Sequence, residues 1–229
     1  MPVNPFASCL VIGSTRSGKT TMVKRLLSFY RTWRIIVLSD TAQFNHEYDF
    51  ILDYPKSSSS HHNEILPITE QSWDRIKDIV KDNETIAKNA GRSPEVFNKY
   101  RTVLLLDDAV SREMDHVFLD TLLSRARHVY FKVVISTQAV QASIKPLGRF
   151  NIAILFLSSN VSSETATYTY PMSGASPRVG IRSKRQFIDF VEQNARPFYF
   201  LRFSAADPSV PPRLIESTRL RAVDTIIQN

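Results

Sequence analysis

Ala7-Ser8-Cys9-Leu10-Val11-Ile12-Gly13-Ser14-Thr15-Arg16-Ser17-Gly18-Lys19-Thr20-Thr21-Met22-Val23 is the stretch on which the fold of this chain turns. Ala7 to Ile12 is a short apolar run that stops at a glycine. From Thr20 onward, Met22, Val23, Leu26, Leu27 and Tyr30 recur at helical spacing. The order is strand, glycine-rich loop, helix. Gly13 to Thr20 fits G-x-x-x-x-G-K-[ST], in which glycines let the backbone turn tightly and aim N–H groups at phosphate oxygens, while the following helix adds its positive end. The expectation is a nucleotide-phosphate cradle made of Gly13, Ser14, Thr15, Arg16, Ser17, Gly18, Lys19, Thr20 and Thr21. Lys19 should reach the β- and γ-phosphates, and the Thr20 hydroxyl should bind magnesium.

Working outward, Arg34 to Leu38 reads as a second buried strand, closed by Ser39-Asp40-Thr41. A less regular stretch follows to about Thr69, with Ser57 to His62 as its most polar part. Adjacent histidines in a serine run are poorly placed to share an ion, so this is read as a solvated loop. Glu70 to Asn89 carries Trp73, Ile76, Val80 and Ile86 among charges and predicts an amphipathic helix ended near Gly91 and Pro94. Thr102 to Leu106 is an apolar strand running into Asp107-Asp108. Glu113 to Leu123 predicts a helix that delivers Arg125-Ala126-Arg127-His128, and Val129 to Ile135 the next strand, closed by Ser136-Thr137-Gln138. Ile152 to Leu157 and Phe198 to Phe203 read as further strands, with a helix around Ser183 to Glu192 between them. Strands alternating with helices predict an α/β fold with a mostly parallel central sheet and helices on both faces. Ligands then belong at the carboxyl ends of the strands, where Gly13, Asp107 and Gln138 fall.

The chain has 229 residues, 43% of them hydrophobic, enough for one sizeable core and short for two. Residues 1–229 are therefore read as a single P-loop domain, with 139–229 holding the last strands and a C-terminal extension. No apolar run approaches the ~20 residues of a membrane span, so a soluble protein is expected. A single cysteine, Cys9, cannot make an internal disulfide and reads as a small buried residue. With 29 Lys+Arg against 22 Asp+Glu the formal charge is +7, which favours a polyanionic partner.

The acidic pair supplies the second half of the site. Asp107, at a strand end, is the candidate magnesium ligand, and Asp108 can orient and activate a water, which a hydrolase needs. Gln138 suits contact with the γ-phosphate or that water. Guanine recognition by N-K-x-D is missing, because Asn98-Lys99 is followed by Tyr100-Arg101. A small-molecule kinase and a non-catalytic nucleotide switch remain open on these residues alone.

Gly13 to Thr20, then Ser39-Asp40-Thr41 with Asn45 and Tyr48 behind it, then L-L-L-D-D at 104–108, then R-A-R-H and a strand ending S-T-Q, together resemble the genome-packaging ATPases of double-stranded DNA viruses. The resemblance is to the poxvirus type, within the HerA/FtsK superfamily of RecA-like P-loop NTPases. It covers about Ser8 to Gln138. It implies ATP and Mg2+ as ligands, Gln138 as a γ-phosphate sensor, and Arg127 or Arg125 completing a neighbour's site in a homo-oligomeric ring of five or six subunits. It also implies double-stranded DNA and capsid proteins as partners, and residence at virus assembly sites in the host-cell cytoplasm and in the virion. Many members of the wider superfamily carry glutamate where this chain has Asp108, as the viral branch often does, and another DNA translocase or a helicase of that superfamily stays open as an alternative. For DNA, Arg178, Arg182, Lys184 and Arg185 form the densest basic cluster, flanked by Gly174, Pro177 and Gly180, which predicts a mobile loop that grips phosphates without reading bases.

Overall fold

The computed structural model describes residues 3–55, 62–90, 93–108, 113–138, 140, 144–174, 180–205, 207, 210–221 and 227–228. Arg178, His61 and the serines before it, Gly91 and Pro177 lie outside the described residues, as does the side chain of Asn45.

In chain order the elements are β1 (Val3–Asn4), β2 (Cys9–Ile12), α1 (Lys19–Ser28), β3 (Arg34–Leu38), α2 (Ala42–Asn45), β4 (Glu64–Leu66), α3 (Glu70–Ala90), α4 (Pro94–Tyr100) and β5 (Thr102–Asp107). Then follow α5 (His116–Arg125), β6 (Phe131–Thr137), α6 (Pro146–Arg149), β7 (Ile154–Ser158), α7 (Ser163–Thr169), α8 (Lys184–Gln193), β8 (Tyr199–Ser204), β9 (Arg213–Glu216) and β10 (Ile227–Gln228). Eight strands form one sheet in the order β4-β3-β5-β6-β2-β7-β8-β9, parallel through β7 and antiparallel for β8 and β9. The short β1 and β10 pair antiparallel with each other.

Alternation along the strands builds two cores. In β2, Cys9 and Val11 point to the face covered by α1 through Met22, Val23, Leu26 and Leu27. Leu10 and Ile12 point to the opposite face, covered by α3 (Trp73, Ile76, Val80), α5 (Leu119, Leu122, Leu123) and α8 (Phe187, Val191). With both faces covered, the central strands can be buried throughout, as β3 and β5 are, with unbroken apolar runs at 35–38 and 103–106. Cys9 is fully buried.

Several boundaries differ from the sequence reading for identifiable reasons. α5 begins at His116 because the Asp115 carboxylate caps it, accepting from Phe118 N at 3.0 Å. β6 begins two residues late because Val129 closes a tight turn onto Ala126 and Tyr130 takes a left-handed φ of 59°. β4 was hidden in the irregular stretch. It is three residues long, its Glu64 paired with Arg34 and Arg75, and so it lacked an apolar signature.

Candidate nucleotide site

The strand order sets the site's geometry. β5 is not the neighbour of β2; β6 lies between them. All three strands are parallel, so Gly13, Asp107-Asp108 and Gln138 share one end of the sheet.

The loop departs from β2 tied to β6, with Gly13 N donating to Thr137 O at 3.3 Å. A tight turn follows, Ser17 N to Ser14 O at 3.2 Å, with Arg16 and Gly18 at φ of 63° and 88°. Gly13 admits no side chain, since a Cβ would lie 2.3 Å from Ser17 Oγ and 3.2 Å from Ser158 Cβ. Gly18 caps α1 without a side-chain acceptor, and the first turn carries no acid, so its N–H groups are left for an anion. Ser14, Thr15, Arg16 and Thr21 are exposed, Ser17 is buried, and Thr20 is half-buried.

Lys19 is almost wholly buried and donates through Nζ to Asp108 Oδ1 at 2.6 Å. Asp107 is buried as well. Its Oδ2 accepts from the Tyr48 hydroxyl at 2.7 Å, whereas its Oδ1 has no partner among the described residues. Burial pushes the Asp107 carboxyl above the usual carboxylate range; the Tyr48 hydrogen bond opposes that shift. Tyr48 is itself driven far above the phenol range, by burial and then by the Asp107 charge, so it stays a donor. Asp108 adopts a left-handed φ of 48°. Gln138 reaches the loop, its Oε1 accepting from Thr15 Oγ1 at 3.1 Å.

Thus Lys19, Asp107, Asp108, Gln138 and the loop converge, and Tyr48 joins them across 59 residues of sequence. A divalent cation fits this set, because a buried carboxylate oxygen without a partner sits beside a loop whose Ser17 hydroxyl is also buried and unpartnered among the described residues. Arg125 and Arg127 lie elsewhere. Arg125 precedes, and Arg127 lies within, the turn of residues 126–128 that leads into β6, at the opposite end of the sheet. Arg125 is paired with Glu84 of α3, and the exposed Arg127 donates from Nε to His128 Nε2 at 3.2 Å. The basic cluster is not only a loop, as the glycines and proline suggested: Lys184 and Arg185 form the first turn of α8. Ser183 caps that helix by accepting from Gln186 N at 3.2 Å, while Gln186 Oε1 accepts from Arg182 N at 2.7 Å. All three basic residues are exposed.

A family model described as "Poxvirus A32 protein" matches residues 3–191. The chain belongs to this family. The match runs well past Gln138, where the motif resemblance stops. Among solved structures, the A32-family chain is similar to the genome packaging NTPase B204 from Sulfolobus turreted icosahedral virus 2. In complex with sulfate, B204 aligns at 15% identity over 92% of this chain and 96% of that one, with a TM-score of 0.62. In complex with AMPPCP it aligns at 16% identity over 92% and 97%, with a TM-score of 0.59. EccC (ATPases 2 and 3) from Thermomonospora curvata, in complex with a signal sequence peptide, aligns at 14% identity over 94% of this chain and 37% of that one, with a TM-score of 0.59. At such identities the likeness is one of fold, a P-loop ATPase fold. No curated protein matches the A32-family chain. Among its described residues no helix is long and apolar enough to cross a membrane.

Proposed function

We propose that this A32-family chain is an ATPase that drives double-stranded DNA into a viral capsid, working as one P-loop domain over residues 1–229. In this reading it forms a homo-oligomeric ring of five or six subunits, contacts capsid proteins, and acts at virus assembly sites in the host-cell cytoplasm. The observation that carries the reading is the Lys19–Asp108 contact beside a buried Asp107 oxygen with no partner among the described residues, which is a charge arrangement built to be rearranged by a phosphate and a cation. Steady-state ATP hydrolysis with and without duplex DNA tests it. The motor is stimulated by DNA, whereas silence in both conditions, or phosphoryl transfer to a small acceptor, overturns it.

Within the site, Lys19 exchanges Asp108 for phosphate oxygens when nucleotide enters. Asp108, released and half-exposed, then takes the proton of the attacking water. Gln138, bridged to Thr15, orients that water against the γ-phosphate. Asp107 and Thr20 would hold magnesium, which when bound neutralises charge developing on the phosphates. Tyr48 acts through Asp107 by fixing one of its oxygens. Tyr48→Phe therefore weakens magnesium about 10–100-fold, read as the concentration that half-saturates hydrolysis, and costs about 1–3 kcal/mol of stability because the buried Asp107 Oδ2 loses its donor; an unaltered magnesium requirement removes this positioning role.

Arg182, Lys184 and Arg185 sit at the positive end of α8, where cations are unfavourable unless an anion joins them. That is the support for a DNA contact there. DNA affinity is expected to be blind to sequence and to fall steeply with salt. Replacing the three by alanine reduces the log–log salt slope by up to about 2.7 through lost counterion release. An unchanged slope moves the contact to the pocket along β9 and the turn after it, lined in part by Arg213, Arg219 and Arg221.

Arg127 is the better finger of the two, since Arg125 is tied to Glu84. It lies too far from its own loop to serve it, at the far end of β6. When Lys19→Ala and Arg127→Ala subunits, each inactive alone, are mixed under exchange, activity partly returns, because an intact Lys19 borrows an intact Arg127 from its neighbour. Mixed rings without recovered activity refute action in trans, and the same mixture with Arg125→Ala decides between the arginines.

A further inference from the structure

Phe198 is held in an unusual way. Its φ is 63°, a left-handed conformation that large side chains rarely adopt, and the residue is 57% exposed. The segment that presents it is pinned on both sides. Phe198 O accepts from Ser217 N at 2.9 Å, Arg196 O accepts from Ser159 Oγ at 2.9 Å, and Arg196 N donates back to Ser159 Oγ at 3.0 Å. The ring edge lies against the phosphate loop, with Cδ1 3.3 Å from the point where a Cβ on Gly18 would stand. A strained backbone, a rigid support and an open aromatic face thus meet at the first residue of the helix N-terminus that receives phosphate.

The strand order says what belongs on that face. Asp107, Asp108 and Gln138, the groups that meet the reacting phosphate, all end strands on the β5–β6 side of β2. A nucleoside triphosphate with its γ-phosphate among them and its β-phosphate in the loop has its nucleoside leaving on the other side of β2, toward β7, β8 and β9. Phe198 is the residue immediately before β8. We propose that Phe198 is the nucleobase platform of this site, its ring stacking on the base of the bound nucleotide. The proposal rests on the reading of Gly13 to Thr20 as the triphosphate cradle. Stacking uses the π-face that every base has, so the platform adds affinity for ATP and GTP alike and leaves discrimination between them to other groups. Because Ser217 and Ser159 fix the segment beforehand, little ordering is needed when the base arrives.

The test compares ATP with inorganic tripolyphosphate, which has the phosphates and no base, by calorimetric titration of the full chain. Phe198→Ala weakens ATP and GTP about tenfold and leaves tripolyphosphate unchanged, while Phe198→Trp keeps ATP affinity. Lys19→Ala weakens all three ligands. A second readout does not depend on the alanine variant folding: in Phe198→Trp the new indole fluorescence is quenched by ATP and not by tripolyphosphate. Unchanged ATP affinity in Phe198→Ala overturns the platform, and so does equal weakening of ATP and tripolyphosphate, or an indole blind to ATP. Tripolyphosphate binding that ignores Lys19→Ala overturns instead the cradle on which the platform rests.

Discussion

Lys19→Ala is expected to lower ATP turnover at least about 10³-fold, since it removes the positive charge that meets the β- and γ-phosphates in a buried site, where such a term is worth several kcal/mol. The neighbourhood shows why no other group substitutes. Lys19 is the cation in contact with the acidic pair, and Asp107 is already held above its usual range by burial and by the adjacent Asp108 charge. Without Lys19, no cationic side chain among the described residues contacts the two carboxylates that face incoming phosphates. The fold should survive, because Asp108 is 40% exposed and can rehydrate. Single-turnover hydrolysis and a urea melt of the same variant separate the two effects. Near-normal turnover would falsify the P-loop assignment, and a collapsed melt would mean that Lys19 is chiefly structural.

Asp108→Asn is the sharper probe. The left-handed φ of 48° at this position is one that asparagine and aspartate tolerate better than other residues with side chains, so the amide keeps the backbone and loses only the base. Turnover should fall about 10²–10⁴-fold. ATP binding should hold or tighten, because the partner that competes with phosphate for Lys19 has lost its charge. Equilibrium titration beside kcat reads both quantities, and loss of binding in step with turnover would put Asp108 in the magnesium shell.

Much of this was legible in sequence because it is local. The apolar runs at 7–12, 34–38 and 102–106 and the helical spacing from Thr20 predict the strands and α1, and their shared parallel direction puts Gly13, Asp107 and Gln138 at one end. What was not legible is what the sheet assembles from a distance. Nothing within β6 announces that it runs between β2 and β5, and nothing near Tyr48 announces its bond to Asp107. The Arg125–Glu84 pair is equally silent in sequence, and it bears on the choice of finger. Phe198 read as the first residue of an apolar strand, and only its backbone angle and its contact with Gly18 set it apart. The helix around Ser183 to Glu192 was legible, with Ser183 followed three residues later by Gln186 as its capping signal, but the glycines and proline nearby drew Lys184 and Arg185 into a loop reading that this helix already contradicted.

β6 is hydrogen-bonded on both sides, to β5 and to β2, so it cannot slide alone. Its seven residues span about 23 Å, from the turn that bears Arg127 to the tip that bears Gln138. If Arg127 serves the next subunit's nucleotide, then this strand is a strut whose two ends belong to two different ATP molecules. A push on one end by a neighbour's changing phosphates is delivered stiffly to the glutamine that touches the chain's own loop. The timing of hydrolysis around a ring would then be set by a strand in compression, with no hinge or lid required.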